Sequence, residues 1–426
     1  MGRTKRIRSR KKLNTTELDF TSEVESLMSW MRTLNWRNTS KICCRPFEST
    51  GRGISSIKRV CSEDILITVP FKLLITYSTV TSSEEFMKLF KLQAKLRIHD
   101  LLAAFLVLEN HKRDQSFWKY YLKSLPSVVP NLPWLLSYEE IQYFPEELRK
   151  KCEKCRSDFE DSWKRLQESL LTSRNCLCCE KKVEEIFNLE SYTWGYIMVN
   201  TRGVFVDPEL TKTFSKSDII DDEPQIAMIP LLDMFNHSDV AENQIEFQET
   251  PQGLFYQLST LNNYKKNDQI FISYGRHDNT TLFSEYGFYL PKNSNDKIKF
   301  LPSDILDCLN LKLDNFQFEF LKKHQFLDYK ELFISLIGPS FKLKGFLYVT
   351  LNKNVRNYSA YIFSENYSET FLQSLQNCGT KLLIMKIKEY KCDYWKFKNK
   401  FGANNDVSLF LEKRVEFVEL IKKELF

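Results

Sequence analysis

The sequence predicts an α+β protein, and three observations carry that reading. Short β-prone segments fall in two blocks, near residues 54–69 and 204–273, in meander-like order with no βαβ alternation. A stretch from about 84 to 198 has helical periodicity. Beyond about residue 300 the chain is again helical and rich in aromatics. A doubly wound nucleotide fold is excluded by the strand order, and 426 residues imply two or three packed units.

The elements follow in order. Ser22 and Glu25 have capping-box spacing, and Val24, Leu27, Met28, Met31 and Leu34 then share one helical face. Strands are expected at Ile54 to Val60 and Ile65 to Val69, with Pro70 ending the second. Ile98, Leu101, Leu102, Phe105 and Leu106 form a core stripe, and a Pro-rich connection runs from Leu125 to Pro133. Ser137 and Glu140 have the spacing to cap another helix, and a long charged helix is expected from Pro145 to Leu171. A further helix is expected over Lys182 to Asn200, then strand at Val204 to Val206, a polar acidic loop over 207–225, and a buried strand over Ala227 to Leu232. Short strands at Ile245 to Phe247 and Leu254 to Leu258 flank a turn at Thr250 to Gly253, and Ile270 to Ser273 follows. Pro302 opens the last helical region, with Phe316, Phe320 and Lys323 on one helix and Val407 to Phe426 as a closing amphipathic helix.

The net charge of +6 is local in origin. Arg3, Lys5, Arg6, Arg8, Arg10, Lys11 and Lys12 form a basic arm, and the remaining 54 Lys and Arg are balanced by 55 Asp and Glu. The arm suits nuclear import or loose nucleic-acid contact, whereas the body offers no basic face. No apolar leader and no run of the ~18 apolar residues that a membrane span requires is visible. Eleven scattered cysteines point to a reducing compartment, with cytoplasm and nucleus the expected locations. Cys152 and Cys155 sit in a helical pattern without the turn residues that zinc knuckles use, so these two and Cys176, Cys178 and Cys179 are expected as free thiols and no metal site is assigned.

Candidate site residues concentrate between Ile229 and Phe288. Asp233, Asn236 and His237 interrupt an apolar run, and polar groups placed there need partners when buried. Asp233 with His237, and His277 with Asp278, resemble parts of a hydrolase or metal site. No Gly-x-Ser-x-Gly elbow and no His-x-x-x-His pair accompanies them, so hydrolysis is set aside. Asn236 and His237 read instead as a hydrogen-bonding corner for a polar ligand. Tyr274-Gly275 and Tyr286-Gly287-Phe288 close the region.

Gly51-Arg52-Gly53, Asn200-Thr201-Arg202, Asp233-Met234-Phe235-Asn236-His237-Ser238, Tyr274-Gly275 and Tyr286-Gly287-Phe288, in that order, resemble the motif set of SET-domain protein methyltransferases. The helical insert and helical C-terminal part resemble the Rubisco large-subunit methyltransferase-like branch. The resemblance covers nearly everything after about residue 20. It implies a β-rich SET core split by a long helical insertion and followed by an all-helical C-terminal substrate-binding domain. The corresponding divisions are an arm over 1–21, a first core part over 22–83, the insertion over 84–198, a second core part over 199–292 and the C-terminal domain over 299–426.

The resemblance further implies S-adenosylmethionine as cofactor and methyl transfer to a lysine of a histone or another protein. Gly51, Arg52 and Gly53 would admit the cofactor's methionine part, and Arg202 would lie near its carboxylate. Asn236 and His237 would hold its amino and adenine groups, with Asp233 and Met234 in the same loop and Asp233 bracing it. Phe288 would stand near the adenine. Tyr274 would be the catalytic tyrosine, and Tyr286 would line the lysine channel. Transfer by alignment, with a lysine neutralised by desolvation, needs no dedicated strong base. Two departures stand out. Lys265-Lys266-Asn267-Asp268-Gln269 lacks the glycine many relatives carry before the strand, although Asn267 can serve a turn. No Cys-rich tail follows Phe288. A catalytically inactive peptide-binding module and a protein-histidine methyltransferase are the alternatives. A monomer without membrane attachment is expected.

Overall fold

The computed structural model describes residues 15–37, 42–91, 93–212, 219–355 and 357–426. The basic arm at 3–12 and residues 213–218 of the acidic loop lie outside the described residues. Two compact units are present: one formed by the chain up to Val129 with Ser157–Tyr274, the other by Pro130–Arg156 with Gly275–Phe426.

Among the described residues, the first unit contains nine strands. They are β1 (Ile42–Phe47), β2 (Gly51–Ser56), β3 (Ile65–Pro70), β4 (Val204–Phe205), β5 (Ile226–Ala227), β6 (Asn236–His237), β7 (Asn243–Thr250), β8 (Gly253–Thr260) and β9 (Gln269–Ile272). One sheet has the order β1-β2-β9-β6, a second the order β3-β8-β7, and β4 pairs with β5. All pairs are antiparallel except β6 with β9, where Asn236 faces Phe271 and His237 faces Ile272. The β7–β8 hairpin turns at Thr250 to Gly253 as the sequence indicates, with Gly253 at φ +116°.

The Ile98–Lys112 helix is buried almost all round, because Leu101, Leu102, Ala103, Ala104, Phe105 and Leu106 leave no polar face. It packs against the Leu189–Arg202 helix at Gly195, where a Cβ would stand 2.6 Å from the Ala103 carbonyl. Of its two buried carboxylates, Asp100 and Glu109, Asp100 accepts from Arg165 Nε and Nη2 at 2.7 and 3.1 Å and from Ser162 at 2.5 Å. Breaking such a buried pair typically costs about 3–5 kcal/mol.

Several expected elements differ: the loop expected over 207–225 begins with a short helix, Pro208–Lys212, and the strand expected at Ile54 to Val60 is β2, which starts at Gly51 and ends at Ser56. The first helix runs Thr15–Thr33, so Ser22 and Glu25 lie inside it and not at its start. The helix expected over Lys182 to Asn200 is two, Val183–Ile186 and Leu189–Arg202, because Asn188 turns out of the first and caps the second through Ser191. The strand expected over Ala227 to Leu232 is reduced to β5, since Pro230 lacks an N–H and Leu231 takes φ +71°.

The second unit buries one core, with Ile305, Leu321, Phe346, Leu383, Val418 and Ile421 among its members. Its helices include Pro302–Leu309, Asn315–Lys323, Phe341–Leu351, the long Glu369–Phe401 and Asp406–Leu425. The helical region also carries a small antiparallel sheet of β10 (Ile298–Lys299), β11 (Phe333–Ser335) and β12 (Gly338–Pro339). Ser137 and Glu140 form their expected capping box. Among the described residues no helix is long and apolar enough to cross a membrane.

Candidate active site

The site in the first unit grows from the middle of the β1-β2-β9-β6 sheet. Gly51 takes φ +67° and turns the chain from β1 into β2, with open space where a Cβ would stand. Gly53 serves a different need. A Cβ there would meet Gln269 Nε2 at 2.4 Å and Asn236 Nδ2 at 2.8 Å. The Asn236 amide, in turn, donates to the Arg52 carbonyl at 2.9 Å. The side chain of Asn236 thus ties the β6 edge to the glycine strand, and only a residue without Cβ leaves room for it.

β6 is delivered by the strained segment before it. Leu231 holds a left-handed conformation while fully buried, a cost accepted where the surroundings fix the backbone. Met234 is buried beneath this turn and contributes packing through its side chain. Asp233 has no exposed side-chain surface and accepts from Arg202 Nη1 at 3.1 Å and from the Tyr121 hydroxyl at 3.3 Å. Arg202 Nη1 also donates to the Asp233 carbonyl oxygen at 2.9 Å. Arg202 and Asp233 therefore brace each other and the loop. Burial and the nearby Arg202 push the Arg52 guanidinium below its usual pKa, with Asp233 opposing them. Asp233 and Glu23 both act on Arg52 as nearby carboxylates, so the charge of the two guanidinium groups is partly balanced.

His237 and Tyr274 form the other half of this frame. The Tyr274 backbone N–H donates to His237 Nδ1 at 3.1 Å, and the Ile272 carbonyl oxygen lies 3.4 Å from the same nitrogen. The two rings lie 5.1 Å apart and 25° from parallel. The Tyr274 hydroxyl donates to the Phe235 carbonyl at 2.6 Å. The tyrosine is thereby held at both ends by residues flanking Asn236. Asn267 at φ +74° makes the turn before β9, donating to the Ser56 carbonyl at 2.9 Å, so an asparagine performs the task of the missing glycine.

Around Gly53 some buried polar atoms have no hydrogen-bond partner among the described residues: Gln269 Nε2, Ser55 Oγ and Asp233 Oδ1. Unsatisfied buried groups are costly. Beside a strand kept free of side-chain bulk, these atoms suit a small ligand with both donors and acceptors. Gln269 and Tyr121 escape sequence reasoning. Gln269 comes into view only through its pairing with Ser55, and Tyr121 reads as one more core aromatic.

Tyr286 and Phe288 belong to the second unit, with ring centroids 6.1 Å apart in an edge-on arrangement. Tyr286 ends a widened π-type turn, Leu282–Tyr286, that Gly287 stops at φ +80°. Burial, with Glu285 adding to it, pushes the Tyr286 phenol up to about 12. The His277 ring lies 5.9 Å from that of Tyr286. Asp278 caps the preceding turn through the Thr281 N–H and pairs with Lys299 at 3.3 Å, so the His277-Asp278 pair is structural at its carboxylate.

No family model matches the chain. Among known proteins, SET domain-containing protein 4 of Artemia parthenogenetica is 31% identical over 335 residues, covering 78% of this chain and 79% of that protein. The human SET domain-containing protein 4 is 30% identical over 358 residues, covering 80% and 76%. More distant relatives include the ribosomal lysine N-methyltransferase set11 of Schizosaccharomyces pombe, at 25% over 75% of this chain, and the actin-histidine N-methyltransferase of Gallus gallus, at 24% over 64% of this chain and 43% of that protein. The crystal structure of the SET domain of LSMT bound to lysine and AdoHcy superposes with a TM-score of 0.56 at 15% identity, covering 94% of this chain and 90% of that one. Rubisco LSMT bound to sinefungin and monomethyllysine gives 0.56 at 16% identity. The SET fold with a helical C-terminal region is thus the fold of this molecule, and the chain belongs to the SET-domain family, in the group of SET domain-containing protein 4.

Proposed function

We propose that the protein is an S-adenosylmethionine-dependent methyltransferase acting on a lysine side chain of a protein substrate, a histone or another. One observation carries the reading. Tyr274 is anchored by its hydroxyl to Phe235 and by its backbone to His237, on the strand pair whose Asn236 grips the glycine strand. Residues for holding a cofactor and a tyrosine for aligning an acceptor therefore share one rigid frame.

The residues fit the cofactor. Gly53, Asn236 and the backbone around His237 would receive its amino acid and adenine ends, and the Arg52 and Arg202 guanidinium groups would favour its carboxylate. Bound there, S-adenosylmethionine would supply a methyl group on a sulfonium sulfur, open to in-line displacement. The chain's own residues then have a positioning task, which can supply several kcal/mol of the barrier. The Tyr274 oxygen, with its proton committed to Phe235, remains able to accept a hydrogen bond from an incoming amine. Tyr286, implied as a channel residue by the family resemblance, stays a neutral phenol at physiological pH and adds no charge to attract an ammonium. An apolar aromatic environment lowers the pKa of a lysine, so the amine can lose its proton without a dedicated base. The basic arm supports entry to the nucleus as well as residence in the cytoplasm.

Transfer to histidine is a second reading, favoured by the match to actin-histidine N-methyltransferase. A non-catalytic peptide-binding role is disfavoured by the presence of Asn236, His237 and Tyr274 together. Thermal unfolding with S-adenosylhomocysteine tests the cofactor assignment first. A ligand at about 100 times its Kd stabilises by about 2.7 kcal/mol, a rise of several degrees. An unchanged unfolding temperature at saturating ligand would count against any cofactor site and for the binding-module reading.

A further inference from the structure

Three of the five cysteines expected as free thiols meet a histidine that sequence spacing does not associate with them. Cys176, Cys178, Cys179 and His111 bring their ligand atoms within 4.8 Å of one another. Cys176 Sγ lies 3.0 Å from Cys178 Sγ, and His111 Nε2 lies 3.1 Å from Cys179 Sγ. Cys152 and Cys155 are on the Glu146–Ser169 helix and take no part. We propose that these four side chains form a closed structural zinc site.

The donor set and spacing suit zinc. Three thiolates and one imidazole are a common structural zinc set. Zinc–sulfur bonds near 2.3 Å and zinc–nitrogen bonds near 2.0 Å put tetrahedral ligand atoms about 3.5–3.8 Å apart. The observed separations bracket that value, so small side-chain rotations bring all four atoms onto one centre. A disulfide is a poorer account, since its sulfurs stand about 2.05 Å apart and residues separated by one or none rarely meet that geometry. None of the eleven cysteines, all of them described residues, is in a disulfide. A closed set of four protein ligands leaves no position for water or substrate, which makes the site structural and not catalytic.

The segment that carries the cysteines needs such a tie. Residues 172–182 form a small hairpin, closed by the Asn175–Lys182 bridge and by the Cys176 N–H donating to the Lys181 carbonyl at 2.8 Å. Glu180 turns it at φ +61°. Within this segment Cys176 is the buried residue, and Leu177 is 76% exposed. Eleven residues with so little buried apolar surface do not offset the entropy of a fixed loop by packing. His111, in the last turn of the Ile98–Lys112 helix, is the partner on the rigid side. A metal bridging the two would fasten the hairpin to the central helix of the unit. Binding releases the three thiol protons and leaves a net charge of −1 on the centre, and Lys112, Arg113 and Lys181 stand around His111 to offset it.

The test is metal analysis of the full-length protein purified without chelators from zinc-supplemented cells. We expect about one zinc per chain, lost in Cys178→Ser/Cys179→Ser and in His111→Ala but kept in Cys392→Ser, an exposed cysteine elsewhere. Zinc-stripped wild type given cobalt(II) should develop the intense visible bands of a tetrahedral thiolate site. This second reading needs no variant to fold. Wild type with zinc below roughly a tenth of an equivalent and no cobalt spectrum would overturn the site, as would a double variant that retains the full metal content. A Cys176–Cys178 disulfide found by mass spectrometry of the freshly purified protein would do so too.

Discussion

At the scale of single residues, Asp233 and Gly53 carry most of the site's architecture. Asp233 is enclosed, takes two hydrogen-bond donors and balances part of the charge of Arg52 and Arg202. Asp233→Ala should leave two guanidinium groups facing each other and cost about 3 kcal/mol of stability. Denaturant unfolding of the variant measures it, and a loss under about 0.5 kcal/mol would mean the brace is ornamental. Gly51 and Gly53 separate two uses of glycine. Gly51→Ala meets only the strain of a positive φ, about 1 kcal/mol, and should change S-adenosylhomocysteine affinity less than about threefold. Gly53→Ala puts a methyl group 2.8 Å from Asn236 Nδ2 and should weaken binding at least about tenfold, because the Asn236–Arg52 bond must shift. Calorimetric titration of the two variants side by side compares them, and equal affinities would remove Gly53 from the site.

At the scale of elements, the Ile98–Lys112 helix sets an acid limit on the fold. Both ring nitrogens of its His99 are buried and have no hydrogen-bond partner among the described residues, and the ring lies 4.5 Å from that of Tyr196. Burial lowers the His99 pKa to about 4, with Asp100 opposing the shift. The unfolded chain, with an ordinary histidine near 6.5, therefore binds more protons between pH 6.5 and 4. Stability rises with pH across that window, and acidification from 6.5 to 4 should remove about 3 kcal/mol through this group. The fall in unfolding temperature between pH 7.5 and pH 5 should be smaller in His99→Phe than in the parent chain. Equal falls would assign the acid sensitivity elsewhere.

The same helix shows what a sequence can and cannot convey. Its core stripe is legible because 3.6-residue periodicity is local, and so are the β7–β8 hairpin and the Ser137 cap. Asn236, His237 and Tyr274 are legible as a set because their order and spacing match a known motif. The brace between Tyr121 and Asp233, the pairing of Gln269 with Ser55 and the meeting of His111 with Cys179 join residues far apart in the chain. Topology brings such partners together, and no local pattern marks them. The shortened β5 is a different case: Pro230 is visible, but the left-handed Leu231 is imposed by the buried loop it feeds.

At the scale of the whole molecule, the scarcity of acids and bases around Tyr274 becomes part of the chemistry. The first unit supplies a sheet that fixes Tyr274 and the proposed cofactor-binding edge in one frame, and the second supplies a helical body with its own core. Such a division suits an enzyme whose catalysis is alignment and whose acceptor is a segment of another protein. The most direct test is transfer of labelled methyl from S-adenosylmethionine into a cell lysate, wild type against Tyr274→Phe, with the labelled residue identified by mass spectrometry. The expected result is label on lysine with wild type, a fall of about a hundredfold or more with Tyr274→Phe, and unchanged stabilisation of that variant by S-adenosylhomocysteine. Equal labelling by the two proteins, or no labelling by wild type, would contradict the assignment, and label on histidine would move the acceptor while leaving the site in place.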